Sequence, residues 1–122
     1  MPEYQNTTLQ LKERLWELAK QIRHLDYSAD QVLQEKYDLQ KHKEILKRKA
    51  TLLSSLPEQV QPYLSNIENH VWERVMEQLN IFANNAQQAL KVESVFFMRQ
   101  LLYPEDYQEG QDNDLERFIR SL

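Results

Sequence analysis

The sequence predicts an all-α protein: a long antiparallel helical hairpin, coiled-coil-like, followed by a short C-terminal helix and completed as a bundle by dimerisation. Three observations carry that expectation. Leu11, Leu18, Leu25, Val32, Leu39, Leu46 and Leu53 recur every seven residues, with Leu15, Ile22, Ala29 and Ala50 at the partner heptad positions. This 4-3-4-3 spacing turns one seam of a helix toward another helix. Further along, Ile67, Val71, Val75, Leu79, Phe82, Ala86 and Leu90 follow at three- and four-residue steps and share one face. Finally, one Gly and four Pro in 122 residues leave little of the turn chemistry that sheets require.

The first helix is expected over residues 7–54. Thr7 and Gln10 give a weak capping box at its start, and neither Gly nor Pro occurs between Glu3 and Leu56. Uninterrupted, it makes a rod of roughly 70 Å. A break at Asp26-Tyr27-Ser28, where Ser28 and Gln31 also read as a capping box, is the competing reading; the continuous rod is preferred. The assembly seam comprises Leu11, Leu15, Leu18, Ile22, Leu25, Val32, Leu39, Leu46 and Leu53. Lys36 and Lys43 interrupt it. Leu9, Trp16, Leu33, Tyr37, Ile45 and Leu52 lie beside it and widen the stripe. A stripe that wide suits packing against two neighbours, which is why a homodimeric four-helix bundle is expected.

Ser54, Ser55 and Pro57 stop the first helix, since Pro57 cannot donate to the ladder and disfavours helix at Leu56. Residues 56–64, bracketed by Pro57 and Pro62, form the hinge. Ser65 and Glu68 form a capping box that opens a second helix over 65–103, ended by Pro104. Residues 1–103 are thus the hairpin. Residues 104–113, acidic and carrying Gly110, form a linker. Residues 114–122 form a short amphipathic helix with Leu115, Phe118, Ile119 and Leu122 on one face and Asp114 as its N-cap.

Charge narrows the function classes. Residues 1–50 carry ten Lys or Arg against eight Asp or Glu, and residues 51–122 carry five against eleven. An acidic chain with this split is a poor partner for nucleic acid. The cluster Lys41, Lys43, Lys47, Arg48 and Lys49 is the one candidate anion-binding site. Near the end of a helix, such cations also complement its dipole. No Cys is present, so disulfides, thiolate zinc sites and cysteine nucleophiles are excluded. The start of the chain lacks a secretory signal. The longest apolar run, Val95–Met98, falls far short of a bilayer span. The expected setting is therefore cytoplasmic, with no membrane span.

His24, His42 and His70 lack the spacing of a metal site, and no residue pattern points to an activated nucleophile or a phosphate loop. No cofactor, metal site or catalytic residue is expected. The richest apolar segment contains Phe96, Phe97 and Met98. Consecutive residues there point around the helix, so one face cannot bury them all. Together with Leu115, Phe118, Ile119 and Leu122, whose helix docks either on its own bundle or in a partner's groove, they form the candidate partner interface. The expected function is protein–protein interaction without catalysis, as an adaptor, assembly subunit or regulatory factor. The alternatives are a nucleic-acid-associated accessory factor using residues 41–49 and a small helical secretion or assembly chaperone.

Overall fold

The structure, a computed structural model, describes residues 3–65 and 67–122, with side chains from Thr8 onward. Six α-helices pack against one another, and the described residues contain no strand. They are α1 (Glu3–Lys36), α2 (Leu39–Ser54), α3 (Leu56–Val60), α4 (Asn69–Lys91), α5 (Val95–Gln100) and α6 (Asp114–Ser121), with a 3-10 turn at Gln61–Tyr63 after α3.

The expected continuous helix over 7–54 is two helices, and the chain reverses between them at Tyr37 and Asp38. Tyr37 takes φ +51°, a left-handed conformation that ends a helix and that side chains ordinarily avoid. Its N–H still reaches Leu33 O at 3.1 Å. Asp38 then restarts the helix, its carboxylate accepting from Lys41 N at 3.0 Å, as a short acidic N-cap does. Asp26-Tyr27-Ser28 lies inside unbroken helix. The reversal lays α2 antiparallel on α1. Lys49 pairs with Asp26 at 2.9 Å and His42 Nδ1 donates to Ala29 O at 2.7 Å, while Arg14 of α1 donates to Gln59 of α3 at 2.7 Å.

The helix expected over 65–103 is also divided. Glu93 sits at φ +52° after α4, with Ser94 N bonded to Ala89 O and Glu93 N to Leu90 O. That pair of bonds is a Schellman motif, with glutamate where glycine is usual. Ser94 caps α5 by accepting from Phe97 N at 3.0 Å. The Ser65–Glu68 box does not open α4, which begins at Asn69 with no side-chain cap bond from Glu68. Thr7 lies within α1, not ahead of it; its side chain falls outside the described residues. Asn113, one residue before the expected Asp114, caps α6. It accepts from Glu116 N at 3.0 Å while Glu116 accepts from Asn113 N at 2.8 Å.

α2 lies between α1 and α4 and contacts both. Lys47 and Glu93 tie α2 to the end of α4 at 3.2 Å. α6 packs against α1, with the Arg120 guanidinium over the Trp16 ring, and reaches α4 through Arg74, which bonds Ser121 and covers Phe118. The core is therefore enclosed on four sides within one chain. Leu11, Leu15, Leu18, Ile22, Leu46 and Leu53 are fully buried in it, each contributing about 1.5–3 kcal/mol by leaving water. Leu25 and Val32 are half-buried. Leu39 is a correction: it is 69% exposed, because it is the first residue of α2, at the reversal itself, whereas Leu46 and Leu53 of the same column lie further along α2 in the core.

Candidate functional site

Two features stand apart from the core: an ionic cluster that clamps the strap of residues 101–113 between α5 and α6, and an apolar face left open on α4 and α5.

The cluster begins with Asp26 and Asp30, one turn apart on α1. Lys49 of α2 comes up to Asp26 with 0% exposure, forms the 2.9 Å ion pair, and donates to Arg99 O at 3.0 Å. Arg99 of α5 grips Asp30 with two bonds of 3.1 and 2.9 Å. Arg23 holds Glu116 of α6 at 2.7 Å and also donates to the Tyr107 hydroxyl and to Gln111 O. At the centre, the Tyr103 hydroxyl donates to Asp26 at 2.8 Å while its ring faces Lys49, Arg99 and Arg23 at 4.9, 5.1 and 5.7 Å.

Burial pushes the Lys49 ammonium down to about 8, against the pull of Asp26. Burial and the neighbouring Asp26 push the Tyr103 phenol upward. The hydrogen bonds they donate to Glu116 and Asp30 hold Arg23 and Arg99, respectively, more firmly protonated. A cleft of about 880 Å³ opens beside Arg23, Asp30, Arg99 and Tyr103, but each cation along it already has a carboxylate. What this arrangement does is fasten α5, the strap and α6 onto α1 and α2. Sequence reasoning missed it. Its acids and bases lie 23 to 93 positions apart, and the only local hint was the i, i+4 spacing of Asp26 and Asp30.

The candidate anion-binding residues do not converge. Lys49 is buried in the cluster, which corrects its assignment, because a closed ion pair leaves no ammonium for an external anion. Lys47 is paired with Glu93. Lys41 and Arg48 are exposed and Lys43 half-buried, with Glu44 among them. Among the described residues, no three His, Asp or Glu side chains are grouped to hold a metal ion, and no helix is long and apolar enough to cross a membrane.

The candidate partner interface separates into two sets. Met98, Leu115, Phe118 and Ile119 are buried in the chain's own core, and Leu122 is half-buried against it. These five are corrected as a free surface: α6 docks in cis, and Met98 is the one residue of Val95–Met98 that points fully inward. Phe96 and Phe97 remain, 66% and 55% exposed, their rings meeting edge to face at 5.8 Å. The capping serine fixes their position by starting a new helix at Val95 and turning these two rings outward. They continue a face of α4 on which Ile81, Asn85, Gln88 and Val92 are all exposed.

Two hollows lie along that face. One, of about 410 Å³, is lined by Ile81, Phe82, Leu101 and Phe118, and the other, of about 470 Å³, by Gln88, Val92, Phe97 and Leu101. Asn85 borders both. Comparisons of this chain with protein families, curated proteins and solved structures find no match.

Proposed function

We propose that this protein works by protein–protein contact without catalysis, as an adaptor, assembly subunit or regulatory factor, through the outer face of α4 and α5. The observation that carries this reading is the exposure of the adjacent rings of Phe96 and Phe97. Aromatic side chains held rigidly on a helix concentrate binding energy when a partner covers them. Two adjacent exposed aromatic rings beside further exposed apolar residues form a contiguous patch of the kind that marks an interaction site. A chaperone that masks a client's amphipathic helix would use the same face.

The test immobilises the wild-type chain, Phe97→Asp and an α1 surface control, Lys20→Asp, and compares what each retains from host extract. The reading expects a protein held by wild type and by Lys20→Asp but lost from Phe97→Asp. Equal retention by all three, with self-association also unchanged by Phe97→Asp, overturns it. Binding to duplex or single-stranded nucleic acid at low salt, lost on Arg48→Glu, would favour the accessory-factor reading instead.

A further inference from the structure

The face around Phe96 and Phe97 carries more than exposed rings. Between Glu77 and Lys91, thirteen consecutive residues of α4 include no Asp, Glu, Lys, Arg or His. The outward positions there are Asn80, Ile81, Asn84, Asn85, Gln87 and Gln88, all exposed. A solvent-facing surface is ordinarily about 25–35% charged, whereas loss of charge marks the centre of an interface. Phe96, Phe97, Ile81 and Val92 together leave about 400 Å² of apolar surface in water. A standard interface covers about 800 Å² per partner, a little over half of it apolar, so this face supplies the apolar share of one.

The surface also has the make-up that pairing with its own copy requires. Phe97 lines the 470 Å³ hollow; Ile81, Phe82 and Phe118 line the adjoining 410 Å³ hollow together with Asp114 and Arg117, and Asn85 borders both. A two-fold rotation over Asn85 lays the uncharged stretch of α4 against its own copy. Near such an axis a residue meets its own copy, where a charge would meet a like charge. An amide meets an amide, donor to acceptor in both directions. A face selected for a partner of opposite charge would carry a sign; residues 78–90 carry none, and Asp114 and Arg117 at its edge offset each other as a pair.

We propose that the α4–α5 face binds a second copy of this chain, as an isologous pair with α4 antiparallel to its copy and the two-fold axis over Asn85. This names the partner for the contact surface proposed above and rests on that reading. The pair does not use the leucine seam, which is occupied within each chain.

Sedimentation equilibrium of the full chain across the micromolar range is the test, run on wild type, Phe97→Asp and Ile81→Asp. The chain has no native cysteine, so Asn85→Cys and, as a control on α1, Glu13→Cys can be oxidised alongside. The expected result is a mass rising from 14.7 kDa toward twice that value. Phe97→Asp and Ile81→Asp should each weaken the dimer by roughly 30-fold or more with helical content unchanged. Asn85→Cys should link to its copy, and Glu13→Cys should not.

A wild-type chain that stays monomeric overturns the pairing, as does a dimer untouched by both substitutions or linked equally well by either cysteine. Should one aspartate variant fail to fold, the other and the cysteine pair still decide. The contact-surface reading fails separately, only when Phe97→Asp alters neither self-association nor retention of any host protein.

Discussion

Between pH 8 and pH 10 this protein should become more stable, because Lys49 is buried as an ammonium. Its pKa lies at about 8 in the fold against 10.5 as the ordinary value. The folded state therefore releases the proton first, and unfolding takes a proton up anywhere between those limits. Stability then rises with pH through the window and gains nothing further above it. At about 1.4 kcal/mol per pH unit, the rise from pH 8 to pH 10 amounts to roughly 2–3 kcal/mol. Tyr103 acts in the opposite sense. Its phenol is held above 10, so the unfolded chain loses that proton first and stability falls again beyond pH 10. A maximum near pH 10 is unusual, since most proteins peak between about 5 and 8. Urea unfolding, followed by circular dichroism and by the fluorescence of Trp16 and Trp72, should show the midpoint moving up by about 1–2 M over this range. Lys49→Met has nothing to titrate there and should abolish the rise. A wild-type midpoint that stays flat or falls from pH 8 to pH 10, or a Lys49→Met variant with the same rise, would refute the reasoning.

Three further outcomes are expected at or near pH 7. Tyr37→Gly should raise stability by about 1 kcal/mol, because Tyr37 is 83% exposed and holds a backbone conformation natural to glycine; differential scanning calorimetry would register the gain, and a loss would contradict the turn geometry. Asn113→Ala should cost about 1–2 kcal/mol by removing the side-chain half of the α6 capping box, the bond accepted from Glu116 N, with amide exchange rising first in α6. Leu46→Ala should cost about 2–5 kcal/mol while Leu39→Ala changes stability by less than about 0.5 kcal/mol, although both belong to one heptad column; equal losses in chemical denaturation would mean that the column is buried along its whole length.

The helical class and most of the core were legible because a buried helical stripe repeats in sequence. Leu11 through Ile22, and Leu46 with Leu53, were read directly from their spacing. The reversal at Tyr37–Asp38 was not, because the chain makes it without glycine or proline. Asp38 is an N-cap whose signal matches that of any aspartate before a helix, and the column of leucines runs across it unbroken. That continuity is what made one rod look better than two helices. Ser94 hid in the same way: its cap splits α4 from α5 in a stretch free of breakers.

At the candidate site, Phe96 and Phe97 were legible as residues that one helical face could not bury. Their neighbour Met98 was not separable from them, since which of four consecutive apolar residues points inward depends on where α5 begins. Lys49 was misread because a lysine in a basic run gives no sign that a carboxylate 23 positions earlier waits for it inside the fold. The docking of α6 depends on Arg23, Glu116 and Tyr107 meeting across the chain, which no local spacing encodes.

The claim on which the rest depends is that α1 and α2 fold back on each other, so that the leucine seam is covered within the chain and the α4–α5 face is what remains for partners. Electron–electron distance measurement between spin labels at Glu13→Cys and Thr51→Cys, diluted with unlabelled chain, tests it directly. The fold-back places those positions about 20 Å apart, with antiparallel helix axes about 10 Å from each other. A distance close to 60 Å, the length of a continuous helix over that span, would contradict it.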